Sequence, residues 1–261
     1  MIVTPHPAGG LRIIRQSAHA RAAARIASHW KPARVVLKEQ WPHLLDAVRH
    51  HDDGWDDAEL APRLTPDGRP HDFKSIPTLD HIAIWRSSFL LSCGIHPYTG
   101  LLVALHARWL YTHFHAADGD HDHAAALRFL GQLNHWIDSL VRHHQTDRHH
   151  ARHVEPHRLE AARRLVTFLD QLSLAMTGAI TPTAQPGGLH FGGRSCEIRV
   201  RQNAADPDVW HLVPWPFEVD QIDVTMPAVH VRRTRFDSPL DAWQAIDQAE
   251  SSPWRGQLRS A

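Results

Sequence analysis

The chain has 261 residues, of which 43% are hydrophobic, and its 28 basic and 28 acidic side chains cancel. This length fits one large domain, or one domain with a small appendage, and the balanced charge argues against electrostatic binding to nucleic acid or a membrane surface. The two cysteines, Cys93 and Cys196, lie too far apart in sequence for a disulfide framework or a cysteine-based zinc site.

No apolar run approaches the roughly 20 residues that cross a bilayer. The opening residues MIVTPHPAGG lack the basic start and apolar core of a secretion signal. We therefore expect a cytoplasmic protein without nucleic-acid or membrane partners, and we leave its oligomeric state open. Histidine is the unusual residue, with 24 copies, and imidazole is the commonest metal ligand in proteins.

The N-terminal elements are predicted to be a hairpin and a helix. In residues 1–15, the turn formers HPAGG separate MIVTP from LRIIR, which is rich in branched residues. Helical periodicity follows from about Ser17 to Trp30, and it places His19 on the same face as Ile26. Pro32 ends this helix.

The second helix begins near Trp41 and contains most of the stretch RHHDDGWDD at its end. Its apolar stripe advances in steps of three and four residues, which is the helical period. Extending the stripe carries His51 and Asp52 to the buried side, whereas His50 and Asp53 fall off it. A proline-rich loop over residues 56–77 follows, and a loop of this length favours a binding or lid segment.

Four further helices are predicted, near residues 78–92, 98–115, 121–142 and 156–177. The first carries His81 in its opening turn, the second carries His106 on its apolar side, and the last carries Asp170 in an apolar run. The histidine-rich tract HHQTDRHHARHVEPH, which joins the last two helices, is interpreted as a solvated connector.

After Gly178 the pattern changes to short runs of β-formers separated by proline, glycine and aspartate, which is typical of a small sheet. A short helix opens with Ser238 as cap. The sequence therefore predicts a mainly α protein with three parts. These are an N-terminal hairpin (1–15) that packs on the C-terminal sheet, a helical metal-binding domain (16–180) and a β-rich C-terminal subdomain (181–261).

Several of the polar residues on apolar helix faces form an ordered series, although each alone would more often be an ordinary core residue. A buried charge is costly unless it is paired or binds a metal. Imidazole and carboxylate are ligands suited to zinc, iron or manganese. The series, in chain order, is His19, His51, Asp52, His81, His106 and Asp170.

This series resembles the HD-domain superfamily of helical metalloproteins, which is named for adjacent His–Asp ligands. The segments QSAHA, HDDGW and LLVALHARW also resemble an uncharacterised bacterial family assigned to that superfamily. The resemblance implies an HD-domain-like helical bundle that holds two divalent transition-metal ions, iron or manganese, with zinc as an alternative. Its implied ligands at the first ion are His19, His51, Asp52 and Asp170. His81 and His106 would serve the second ion, with Asp52 bridging.

The resemblance implies a metal-dependent hydrolase that acts on a phosphate ester or a similar small molecule. Two alternatives stay open, a diiron oxygenase of the HD-domain type and a non-enzymatic metal-binding sensor. Many phosphohydrolases of the superfamily carry a lysine shortly after the pair, but this segment reads HDDGWDD. Lys74 and Arg86 are the candidate substrate-binding replacements. Asp52 and Asp53 are the candidate catalytic carboxylates.

Overall fold

The computed structural model describes residues 1–31, 38–115, 122–148, 150–182 and 188–261. About 51% of the residues are helical and a small strand-rich region lies at the C-terminal side, so the prediction of a mainly α protein is confirmed. In the described part of the chain, no helix combines the length and the apolar character that a membrane span requires.

The helices of the described chain occupy most of the segments in which the sequence predicts them. Residue 121, the predicted start of the helix near 121–142, lies outside the described residues, and so does Pro32, which the sequence predicts to end the first helix. Their bounds are Gln16–Ala27 (α1), Trp41–His50 (α2), Trp55–Glu59 (α3), Thr78–Ile95 (α4), Pro97–Leu110 (α5), His123–Gln145 (α6), Pro156–Met176 (α7) and Pro239–Asp247 (α8).

Helix α5 lies at the centre of the helical body. Its residues from Tyr98 to Ala107 are all buried, and α2, α4, α6 and α7 pack around it. A helix that is apolar on nearly all sides is stable only when it is enclosed in this way. Pro97 opens the helix, and the Nδ1 atom of His96 caps it by accepting a hydrogen bond from the backbone N of Tyr98 at 3.1 Å. This core fixes the position of His106.

The strands of the described chain form small sheets beside the helices. Their bounds are Ile2–Pro5 (β1), Leu11–Ile14 (β2), Leu189–Phe191 (β3), Arg194–Cys196 (β4), Arg199–Gln202 (β5), Val209–Val213 (β6), Gln221–Met226 (β7), Ala228–Val231 (β8), Glu250–Ser251 (β9) and Trp254–Ser260 (β10). One sheet has the order β1-β2-β8-β9 and another the order β5-β6-β10-β7, while β3 and β4 pair separately. In the first sheet β2 pairs antiparallel with β8, with Ile13 opposite Val229. The N-terminal hairpin therefore shares a sheet with a C-terminal strand.

Three differences from the predicted elements lie near the site. Helix α2 ends at His50, so the His51–Asp52 pair lies in the following turn. The predicted lid loop contains α3 at its start, because Trp55 is buried and anchors a helical turn. Helix α5 ends at Leu110 and continues as a π-helical turn, Tyr111–His115.

Two histidines of the predicted solvated connector are buried, so that interpretation is wrong for His144 and His153. Their rings pack edge-on against Tyr98, with centroids 5.7 Å and 6.3 Å from its ring. His43 and His96 stack at 3.7 Å beside them. We name this group, together with His150, the histidine cluster.

The histidine cluster is expected to make folding stability depend on pH. Burial lowers the pKa of His144 to about 4, below the ordinary 6.5, so its ring is protonated in the unfolded chain before it is protonated in the folded one. Stability that the neutral ring provides is therefore complete above pH 6.5 and decreases as the pH falls towards 4. At pH 5 the loss is about 2 kcal/mol, from 1.36 kcal/mol per pKa unit.

Urea unfolding at pH 7 and pH 5 tests this expectation. In His144→Gln, the loss of unfolding free energy between the two pH values should be about 2 kcal/mol smaller than in the wild type. His135, an exposed histidine of α6, provides the control, and His135→Gln should lose as much stability as the wild type. An equal loss in His144→Gln would contradict the assignment.

Candidate metal centre

Four buried polar side chains converge where α1, α7 and the turn after α2 meet. They are His19 of α1, His51 and Asp52 of the turn and Asp170 of α7. One ligand atom from each lies within 4.8 Å of the others. Two ligands of one ion at roughly 2.0–2.2 Å are at most about 4.4 Å apart, so a small contraction brings this set around a single ion. The structure thus contains a buried cluster that could bind a metal.

The histidine Nε2 atoms of this cluster face the carboxylates. The Nε2 atom of His19 lies 2.7 Å from Asp52 Oδ2 and 3.7 Å from Asp170 Oδ1. The Nε2 atom of His51 lies 3.3 Å from Asp52 Oδ2 and 3.4 Å from Asp170 Oδ1. Two nitrogens and two carboxylates therefore point at one small volume.

Hydrogen bonds on the far side of each ring fix its tautomer. The Nδ1 atom of His51 is 2.9 Å from the carbonyl oxygen of Val48, which can only accept, so Nδ1 carries a proton. The Ser173 hydroxyl donates to the carbonyl of Asp170 at 2.9 Å and therefore accepts from Nδ1 of His19 at 2.7 Å. In the neutral rings both Nε2 lone pairs face the carboxylates.

A lone pair that faces carboxylate oxygens needs a cation between them, which is a proton or a metal ion. The Nε2 atom of His51 makes no hydrogen bond to any part of the chain that the structure describes, despite its short distances to two carboxylates. Metal-binding histidines are characteristically held in this way, with Nδ1–H on a carbonyl or hydroxyl oxygen. The donor set therefore fits a divalent transition metal.

The electrostatics of the metal-free cluster agree with this view. Burial alone would lower the pKa of His51, but Asp52 and Asp170 raise it well above its usual range. Burial would raise the pKa of Asp52, but the charge of His51 and the hydrogen bond with His19 hold it well below its usual range. Burial would also raise the pKa of Asp170, but the adjacent imidazoles of His106 and His51 outweigh that effect and hold it low. Both carboxylates are ionised, and the site attracts a cation.

His106 borders the four-residue cluster from α5. Its Nε2 atom lies 3.4 Å from Asp170 Oδ2 and makes no hydrogen bond to the described residues. Its Nδ1 atom is 3.0 Å from the Thr167 hydroxyl oxygen. Burial lowers the pKa of His106, so the neutral ring is favoured, with one nitrogen beside the centre.

His81 is oriented differently from the sequence-based expectation. The indole Nε1–H of Trp85 donates to His81 Nε2 at 3.1 Å, and the Tyr111 hydroxyl lies 2.9 Å from its Nδ1. Because Nε2 accepts from an indole, its lone pair is occupied. The structure brings His81 to the same cavity but not into the four-residue cluster.

A cavity of about 330 Å³ opens beside the cluster. His51, Asp52, His81, His106 and Asp170 form its polar end. The remaining wall is mostly apolar, with three further polar side chains, and consists of Gln16, Trp55, Phe73, Lys74, Trp85, Leu110, Phe114, Gln171, Leu174 and Ile180. A concave, mostly apolar site with a few convergent polar groups is the usual form of a small-molecule site.

Three residues proposed from the sequence remain, namely Lys74, Arg86 and Asp53. Of these, Lys74 lines the cavity. Its ammonium donates to the carbonyl of Ala179 at 2.9 Å and lies 3.3 Å from Asp72 Oδ2. Arg86 lies outside the cavity lining, and its Nε donates to Gln132 Oε1 at 2.9 Å. Asp53 also lies outside the lining, where its Oδ2 is 2.6 Å from Nδ1 of His50.

Gln16 is a cavity residue that the sequence reasoning missed. It opens α1 and is buried, and its Oε1 atom makes no hydrogen bond to the described residues. Its backbone N donates to Glu59 Oε1 at 2.9 Å, which fixes the start of the helix. Gln16 precedes His19 by three residues and therefore shares its helix face. That spacing in QSAHA was the available signal.

The fold and the site define a mainly helical protein with a buried His–Asp cluster that could bind a metal, beside an apolar cavity. The family model described as "Protein of unknown function (DUF3891)" matches residues 1–233, and the chain belongs to this family. Neither the curated proteins nor the solved structures include a match to this chain.

Proposed function

We propose that this protein is a metal-dependent hydrolase of the HD-domain type that cleaves a phosphate ester or a similar bond in a small molecule. The observation that carries the proposal is the convergence of His19, His51, Asp52 and Asp170 within 4.8 Å beside a mostly apolar cavity. The order of these residues along helical elements agrees with the HD-domain resemblance, and so does the α-rich body that holds them.

The four residues would hold one divalent ion. When bound, such an ion lowers the pKa of a coordinated water molecule and polarises the oxygen of the bond that breaks. Ser173 and the Val48 carbonyl orient the two imidazoles. Asp52 and Asp170 supply the negative charge that retains the ion. The four residues are themselves buried, which strengthens the charge interactions among them.

His106 is the residue proposed to accept a proton from the attacking water. Its ring is held at Nδ1 through the Thr167 hydroxyl, and its Nε2 is at the wall of the cavity beside Asp170. A neutral imidazole is the most common general base. A second ion on His106 and His81 would require His81 to give up its hydrogen bond from Trp85, so metal stoichiometry separates the one-ion from the two-ion arrangement.

A diiron oxygenase of the HD-domain type is the second candidate function. The apolar wall of the cavity favours it, because such a wall suits a substrate with few charges. Two irons per chain, an EPR signal from a coupled pair and oxygen consumption with a substrate would distinguish it from the hydrolase.

Metal analysis of protein purified without a nickel column tests the proposal. We expect about one equivalent of manganese, iron or zinc per chain, and metal-dependent hydrolysis of an aryl phosphate ester that a chelator abolishes and added ion restores. A chain with less than about a tenth of an equivalent after incubation with each of these ions would overturn the metal-dependent function. Metal binding without turnover of any ester would leave a metal-binding sensor.

A further inference from the structure

The walls of the metal-site cavity are largely apolar. Trp55, Phe73, Leu110, Leu174 and Ile180 provide this surface, and an apolar wall gains free energy only when it covers an apolar part of a ligand. A ribose or a polyphosphate offers mostly polar surface, which would lose its hydration here without replacement hydrogen bonds. The body of the ligand is therefore expected to be aromatic or branched aliphatic.

With a divalent ion bound, the charges of the ion and of the lining side chains would sum to about one positive charge. A divalent ion would offset Asp52 and Asp170, which leaves the Lys74 ammonium as the remaining charged group among the described lining residues. An ammonium has three N–H donors, and Lys74 uses them towards the Ala179 carbonyl and Asp72, leaving one. Lys74 lines the cavity whereas Asp72 does not, so the N–H that Lys74 leaves unused is available to a ligand.

The volume of the cavity determines how much of the ligand it can enclose. At about 30 Å³ for each water-sized group, 330 Å³ accommodates roughly eleven such groups. Gln16 also lines the cavity, and its buried Oε1 atom has no hydrogen-bond partner among the described residues. A site of this kind suits one anionic head and one compact apolar body.

We infer that the ligand of this site is a small monoanion with an apolar body, either a carboxylate or a phosphoester monoanion, whose charge is bound by Lys74. This inference rests on the proposed function, because the metal ion is what neutralises Asp52 and Asp170. Lys74 is thus assigned as the specificity residue, and nucleotides are excluded as the preferred substrates.

Calorimetric titration of Mn²⁺-loaded protein tests the inference with defined probes. Phenylacetate and ethyl phenylphosphonate represent the two monoanions, while acetate lacks the apolar body, benzyl alcohol lacks the charge and AMP is polar and dianionic. At least one aromatic monoanion should bind about tenfold or more tightly than each of the other three probes, since a hydrogen bond to a charged group is a strong one. Whichever monoanion binds more tightly identifies the head group.

Lys74→Met keeps the length of the side chain and removes its charge. The affinity for the preferred monoanion should fall by about tenfold while the affinity for benzyl alcohol stays the same. Lys38 is exposed and lies outside the cavity lining, so Lys38→Met should bind like the wild type.

Two results would overturn the inference, namely tighter binding of AMP or acetate than of both aromatic monoanions, and an unchanged ratio of monoanion to benzyl alcohol affinity in Lys74→Met. Metal content is measured on the same samples. Metal-loaded protein with the wrong preference would overturn the inference alone, whereas protein that holds no metal would overturn it together with the proposed function.

Discussion

Asp170→Asn is expected to lose its bound metal, with the affinity for the ion falling at least about 100-fold. Substitutions that only disturb the partners of metal ligands already cost 10- to 100-fold, and this change removes a ligand charge. The shape of the side chain is preserved, so packing within α7 is maintained. Metal content after dialysis and the shift of the melting temperature on addition of a chelator are the measurements.

The change in melting temperature on addition of a chelator reports bound metal, because the metal stabilises only the folded chain. At a free ion concentration 1,000 times the Kd, binding contributes about 4 kcal/mol. The wild type should lose this stabilisation with a chelator, whereas Asp170→Asn should have nothing left to lose. Asp53→Asn provides the matched control, because Asp53 pairs with His50 outside the cavity lining, and it should retain the wild-type metal content. Full metal retention in Asp170→Asn would refute the ligand assignment.

Helical phase predicted the burial of the His–Asp pair even though the helix itself is shorter than expected. Helix α2 ends at His50, but the backbone of His51 keeps right-handed helical angles, φ −59° and ψ −26°. The side chains of the following turn therefore continue the rotation of the helix, and the inward placement of His51 and Asp52 survives the loss of helical hydrogen bonds. Phase depends on local dihedral angles, whereas helix ends depend on tertiary contacts.

Helical phase predicts that His81 points inwards, but it does not predict which groups the imidazole contacts there. The spacing that turns His81 inwards also places Trp85 four residues later on the same face. In the folded chain this neighbour donates to the imidazole that was expected to bind a metal. Side-chain rotamers decide which of two inward residues reaches the ion. Those rotamers depend on contacts such as the one between His81 and Tyr111, which lies in the turn after α5.

The positive charges of the site could be predicted only in part. Arg86 follows Trp85 directly, so its side chain points about 100° away from the inward stripe, and the structure places it on Gln132 instead. Lys74 lies in an irregular segment without periodicity, and its position depends on the carbonyl of Ala179, which is 105 residues away in sequence. Contacts at such separation leave no pattern in one sequence.

Gly54→Ala is expected to destabilise the protein by about 3 kcal/mol and to lower its metal content. Gly54 follows the His51–Asp52 pair and has ordinary backbone angles, φ −63° and ψ −14°, so space and not conformation requires glycine here. An added Cβ would collide with the carbonyl oxygen of Ile84 and lie 2.7 Å from the backbone N of Ser88. Both atoms belong to the backbone of α4 and cannot rotate away.

Relief of that collision must separate α4 from the turn that carries the ligand pair. The same movement would break the hydrogen bond from Gly54 N to the Ser88 hydroxyl, 3.0 Å long, and would shift His51 and Asp52 relative to Asp170. Gly94, also in α4, has open space where its Cβ would be placed, so Gly94→Ala should stabilise the protein by about 0.5–1 kcal/mol. Urea unfolding and metal analysis of both variants provide the comparison. If Gly54→Ala were as stable and as metal-loaded as Gly94→Ala, the turn would not be held against α4 as the structure shows.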